Sequence, residues 1–198
     1  PDTITRFRQN FMNLIRILVN APDAPIGTFS MISEEEKMII DEINATKTDY
    51  PINKTLATLF EEQVNVSPDK TAVVYKDKTL TYSQLNERAN QLARQLRMMG
   101  VKNNEPVGIL ADKSTDLITG ILGILKAGGG YVPVDPESPE IRVNFMMKDS
   151  GCGILLMQEK FLEMPVEGVK KINLNSPDSY HSDNSDLTGT SDPSSLAY

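Results

Sequence analysis

Apolar residues recur along this chain with two periods, and the switches between them outline its elements. Near the start, Ile4, Phe7, Phe11, Leu14, Ile15 and Leu18 fall at three- and four-residue spacing, which predicts a helix with one apolar stripe. Asp2 is its expected cap, and Pro22 and Pro25 end the pattern. Arg6, Arg8 and Arg16 occupy its other faces. Little nearby supplies a partner for the stripe, so docking on another protein domain is a better reading than a membrane-surface helix. A second helix is predicted at Ser33, which forms a capping box with Glu36. Glu34, Glu35 and Glu36 suit the positive end of the helix dipole, and Met38, Ile39 and Ile43 give a short apolar face. The polar run 44–51, ending in Tyr50-Pro51, reads as an extended linker.

The compact part starts near Thr55. Leu56, Leu59, Phe60 and Gln63 or Val64 mark a short helix, and Ser67-Pro68-Asp69 a turn. The β-prone runs 71–75 and 79–82 flank Lys76-Asp77-Lys78 and predict a hairpin. Ser83 is the expected cap of a strong helix whose stripe is Leu85, Ala89, Leu92, Leu96 and Met99, with Gly100 at its end. Val107 to Ala111 is a continuous apolar strand, expected to be buried on both faces. A nearly all-apolar helix follows from Thr115 to Ala127, and Gly120 and Gly123 on it suggest close approach to another backbone. Then come a strand at 131–134, a helix opening at Pro139 through Val143, Met146 and Met147, and strands at 153–157 and 171–174. Strand, helix, strand, helix, strand predicts an α/β domain with a largely parallel sheet and covering helices. From Asn175 to Ser195 there are seven Ser and four Asp, which predicts a polar loop or a disordered segment. Leu196-Ala197-Tyr198 turn apolar again, as at the start of a strand.

Composition narrows the chemistry. One His and one Cys among 198 residues cannot build a Cys/His zinc site or a disulfide framework. Any triad would need His181, which lies in the Ser/Asp-rich loop without a rigid scaffold. A net charge of −7 argues against nucleic acid as the main partner. No apolar run approaches the roughly 18 residues of a membrane helix, and the opening Pro1-Asp2-Thr3 carries no signal pattern. The chain therefore reads as cytoplasmic and as cut from something longer. Lys126-Ala127-Gly128-Gly129-Gly130 follows a helix, whereas phosphate loops precede one. It is expected to be a helix cap and tight turn, with Lys126 complementing the dipole. Glu34-Glu35-Glu36 and Glu61-Glu62 are expected to be solvated, and the Met98-Met99 and Met146-Met147 pairs and Cys152 to pack in the core. No catalytic, cofactor-binding or metal-binding residue emerges.

Two stretches carry a family resemblance. Leu80-Thr81-Tyr82-Ser83-Gln84-Leu85 resembles the first core motif of adenylation domains, Leu-Thr/Ser-Tyr-x-Glu-Leu. Leu125-Lys126-Ala127-Gly128-Gly129-Gly130-Tyr131-Val132-Pro133-Val134-Asp135-Pro136 resembles the second, Leu-Lys-Ala-Gly-x-Ala-Tyr-Val-Pro-Ile/Leu-Asp-Pro. Gln84 for Glu, Gly130 for Ala and Ser138 for Tyr are small departures. Phe60-Glu61-Glu62-Gln63 with Pro68-Asp69-Lys70-Thr71-Ala72, and Pro139, Arg142, Asp149 and Ser150, resemble the family's flanking residues. The chain thus resembles amino-acid-activating domains of nonribosomal peptide synthetases.

The resemblance implies three parts: 1–30 as the end of a condensation domain, 31–54 as linker, and 55–198 as the N-terminal part of an adenylation domain. The fold it implies is the N-terminal part of an adenylate-forming core, preceded by a helical linker. It implies a parent enzyme that uses ATP and Mg²⁺ to make an aminoacyl-adenylate and loads a carrier-protein phosphopantetheine thiol. Its expected partners are the condensation domain, the rest of the adenylation domain, the peptidyl carrier domain and the amino-acid substrate. The family's phosphate loop, specificity pocket and catalytic Lys have no counterpart here. For Leu80, Thr81, Tyr82, Leu85, Leu125, Lys126, Ala127, Gly128, Tyr131, Pro133, Asp135 and Pro136 the resemblance implies a mainly structural role. The alternatives are another adenylate-forming ligase, such as an acyl-CoA synthetase, or a non-catalytic docking half of a split synthetase.

Overall fold

The computed structural model describes residues 2–189 and 192–198, in two units divided between Tyr50 and Pro51. The first unit holds α1 (Asp2–Asn20) and α2 (Glu34–Asn44). Asp2 is the first helical residue of α1, in its first turn, rather than its cap. The predicted capping box of α2 is present: Glu36 N–H donates to Ser33 Oγ and Ser33 N–H to the Glu36 carboxylate. No residue of either helix is buried, and Phe7 is 73% exposed.

The second unit opens with α3 (Leu56–Val66), capped by Thr55 Oγ1, which accepts from Thr58 N–H at 3.1 Å. The hairpin β1 (Thr71–Tyr75) and β2 (Lys78–Thr81) follows, antiparallel, with an irregularity between Thr71 and Val73. Next come α4 (Tyr82–Met98), β3 (Pro106–Leu110), α5 (Thr115–Ala127), β4 (Gly130–Val134), α6 (Glu140–Ser150), β5 (Ile154–Met157) and β6 (Lys170–Asn173). The last four strands are all parallel, in the order β4-β3-β5-β6.

Side-chain alternation along the strands splits the core into two layers. Val107, Ile109, Ile154, Leu156 and Ile172 pack with Leu92, Leu96 and Ile124 of α4 and α5. Leu110, Leu155 and Met157 pack with Val143 and Met147 of α6. β3 is thus buried on both faces, as its unbroken apolar run predicted. Cys152 is buried in the α6 layer, which raises its thiol pKa by desolvation, against a hydrogen bond from Ser150.

Three local expectations are corrected. The cap of α4 is Thr81, not Ser83: Thr81 Oγ1 accepts from Gln84 N–H, Gln84 Oε1 accepts from Thr81 N–H, and Ser83 Oγ donates to Glu87. Thr81 and Gln84 form a capping box, which a glutamine completes as well as a glutamate, so the Gln84 departure is harmless. Gly120 and Gly123 admit side chains rather than backbone. A Cβ at Gly120 would lie 2.5 Å from Ile109 Cδ1, and one at Gly123 2.7 Å from Leu92 Cδ2. Finally, Met98 is 71% exposed, because it points away from the Leu92–Leu96 stripe, while Met147 is buried as expected.

Candidate functional site

The two motif stretches bracket the α4–α5 pair, one at the start of α4 and one at the end of α5. In the first, Leu80 and Thr81 end β2, Tyr82 opens α4, and Leu85 is buried on its inner face. Tyr82 N–H donates to Lys70 O and Ser83 N–H to Pro68 O, both at 3.0 Å, and the Tyr82 ring lies 5.9 Å from that of Phe60 on α3. This motif therefore ties the hairpin, α3 and α4 together.

The second motif turns α5 into β4. Leu125, Lys126 and Ala127 form the last turn of α5. Gly128 follows in the left-handed region at φ 97°, and its N–H and that of Gly129 satisfy the Leu125 and Ile124 carbonyls, as the predicted cap requires. Gly129 passes so close to β3's lead-in that a Cβ there would sit 2.9 Å from Glu105 O. Tyr131 and Pro133 lie on β4, an edge strand of the sheet, where a proline is tolerated. Asp135 caps the next turn through a 3.0 Å bond from Glu137 N–H, with Pro136 between.

Lys126 departs from expectation. It is wholly buried, and its ammonium pairs with the Glu61 carboxylate on α3. A second carboxylate, Asp186, stands 3.8 Å away. Asp186 also accepts from Asn86 Nδ2 at 2.8 Å and Asn90 Nδ2 at 2.9 Å, both on α4. Burial pushes the Asp186 pKa up, but the two amides and the ammonium outweigh it and hold the group below the ordinary carboxylate range. Glu61 is therefore not a solvated surface acid; Glu62 beside it is, paired with Lys54.

The polar segment after β6 is ordered as far as it is described. It lies along α4 as a strap, with His181 N–H donating to Gln91 O, and Arg94 to Ser185 O and Oγ. Leu187 is buried in the core, and Tyr180 Oη donates to Leu174 O. His181 Nδ1 accepts from Asp183 N–H, a local turn contact.

A cleft of about 470 Å³ opens at the C-terminal ends of β3 and β5, where the strand order reverses. Such switch points commonly bind ligands in α/β sheets. Its polar groups here satisfy one another: Lys160 pairs with Asp112, and Gln158 accepts from Asp112 N–H and donates to Ser114 Oγ. Among the described residues, no group of three or more His, Cys, Asp or Glu could hold a metal ion.

With this geometry in place, comparison with known proteins decides the family. The model of the AMP-binding enzyme family matches residues 60–194. The chain belongs to the AMP-binding enzymes. Within them, it is 43% identical over 198 residues to bacitracin synthase 2 of Bacillus licheniformis, covering 100% of this chain and 8% of that protein. It is also 43% identical over 197 residues to gramicidin S synthase 2 of Aneurinibacillus migulanus, covering 99% of this chain and 4% of that one. The nonribosomal peptide synthetase FmoA3, in its AMPPNP-bound form, matches with a TM-score of 0.80 at 28% identity, over 100% of this chain and 22% of that one. Its form bound to alpha-methyl-L-serine-AMP gives 0.79 at 29% identity. The chain thus spans only a small part of the length of these relatives.

Sequence reasoning missed Glu61, Asn86, Asn90 and Asp186 as one polar cluster. No local signal reveals it: Ile118 on α5 is exposed, so the helix does not announce a buried lysine, and Glu61 and Asp186 lie far from Lys126 along the chain.

Proposed function

We propose that the chain is part of a nonribosomal peptide synthetase whose adenylation domain couples an amino acid to ATP. The products are an aminoacyl-adenylate and pyrophosphate, and the aminoacyl group then passes to a carrier-domain phosphopantetheine thiol. Residues 1–30 are the end of a condensation domain, 31–54 the linker, and 55–198 the N-terminal part of the adenylation domain. The observation that carries this reading is the extent of the similarity. It runs through the 59 residues before the AMP-binding match as well as through the match itself. That upstream continuity favours a peptide synthetase over an acyl-CoA synthetase.

The described residues do not themselves fit ATP or Mg²⁺. The only glycine-rich turn follows a helix, where backbone carbonyls rather than N–H groups face outward, and its lysine is already paired. ATP and Mg²⁺ are assigned to the rest of the synthetase, and this chain supplies scaffold: the motif residues position α3, α4, α5 and β4. Amino-acid-dependent ATP–pyrophosphate exchange tests the reading. The parent module is expected to catalyse it and the isolated 198 residues are not. Exchange by the isolated chain would overturn the scaffold assignment, and a parent module inactive with every amino acid would overturn the function.

A further inference from the structure

Lys126 needs an explanation that the helix dipole does not give. A lysine at the end of a helix complements the dipole equally well from the surface, and burial of its ammonium is unfavourable unless carboxylates pair with it. Two do, and they come from distant stretches of chain: Glu61 on α3 and Asp186 on the strap. The strap needs such an anchor. Between Asn175 and Gly189 its only fully buried side chain is Leu187; Tyr180 packs part-buried against the same core near the strap's start, and the hold on α4 and α5 from His181 onward is otherwise polar. Arg97 adds to that hold, donating to Thr188 O at 3.3 Å and to Ala127 O at 3.2 Å.

The same motif also grips the chain beyond the strap. Tyr131 N–H donates to Ala197 O at 2.9 Å, and the Tyr131 and Tyr198 rings stack at 5.6 Å. Asn104 links the two: its N–H donates to Gly128 O at 2.9 Å, and its Oδ1 accepts from Leu196 N–H at 2.8 Å. Residues 126–131 thus hold both Asp186 and the 196–198 segment. Lys126 cannot act directly at the cleft, which lies at the opposite, N-terminal end of α5 beside Ser114. Thirteen helical residues separate the two ends by about 20 Å.

We infer that Lys126 is a positioning residue: through Asp186, with Glu61 as its counter-ion, it fixes the strap on α4 and so sets the approach of Leu196–Tyr198 to β4. Its consequence for catalysis rests on the proposed function, in which the rest of the synthetase handles ATP. Its consequence for the strap does not.

Amide hydrogen exchange on the 198-residue chain tests the inference, with Lys126→Met and Asp186→Asn. Asp186 is half exposed, so its substitution leaves the apolar core intact. Exchange in 181–189 and 196–198 is expected to quicken at least tenfold in Asp186→Asn, while β5 keeps its wild-type protection. Unchanged strap exchange, or a rise only in step with β5, overturns the inference, because a merely structural role would loosen both together. In the parent module, Asp186→Asn is expected to raise the KM for ATP severalfold in pyrophosphate exchange with little change in kcat. An active wild-type module whose Asp186→Asn variant keeps the same KM overturns the positioning role. A wild-type module without exchange overturns the functional reading instead, and the strap measurement still decides the inference.

Discussion

α1 and α5 both carry apolar faces, yet they differ in what covers them. α5 is sandwiched so closely that Gly123 meets Leu92 and even its lysine is buried, whereas every residue of α1 keeps some exposure and Phe7 is largely in solvent. Apolar periodicity therefore reports that a helix needs a partner, not that the partner is present in the same chain. An isolated helix of α1's length is marginal in water, so such a face belongs with a further surface.

The contrast can be broken by substitution, measured by urea unfolding followed by circular dichroism, since the chain has no Trp. The largest effect is expected for Leu156→Ala, which empties a fully buried site between β5 and the α4–α5 layer and should cost about 2–5 kcal/mol. Phe7→Ala on α1 should stay within about 0.5 kcal/mol; an equal loss at both positions would erase the distinction. Next comes Gly129→Ala, expected to cost about 1–3 kcal/mol because the new methyl meets the Glu105 carbonyl. Its neighbour Gly130→Ala should be neutral within about 0.5 kcal/mol, since a Cβ there finds Leu196 Cβ at an ordinary 3.5 Å. Thr81→Ala removes the capping box of α4 and should cost about 1 kcal/mol.

The smallest effect is a pH dependence of the strap. Asp186 binds a proton more weakly folded than unfolded. Its contribution is therefore present above the ordinary Asp pKa of about 4 and is lost as pH falls through its lower folded value. Protection of the strap amides, relative to their intrinsic exchange at each pH, should fall below about pH 4 in the wild type. In Asp186→Asn the part of that acid response due to Asp186 should be absent.

The alternating periods made the sheet and its covering helices legible: α5 was read with its observed bounds, and β3 to within a residue at each end. The strap was not legible, because its partners Asn86, Asn90, Arg94 and Arg97 are polar and polar pairing leaves no period. The burial of Lys126 is hidden from the sequence for a related reason. Its partners lie 65 and 60 residues away, and nothing local distinguishes a paired buried lysine from a solvated one. Thr81 was missed although Thr-x-x-Gln is a sequence-level cap, because the β-prone run extended across it to Tyr82. The cleft at the sheet's C-terminal end depends on strand order, which a single sequence does not carry.

The proline on β4 gives that edge a polarity. The N–H of Gly130 points inward, to Glu105 O, so the outward positions of the strand are Tyr131 and Pro133. The amide of Tyr131 is engaged by Ala197, and Pro133 has none to offer. Among the described residues, the outer side of the strand thus has carbonyls left but no idle amide. Any further strand laid there must do all the donating itself, so the edge accepts without offering and resists casual pairing with a copy of itself.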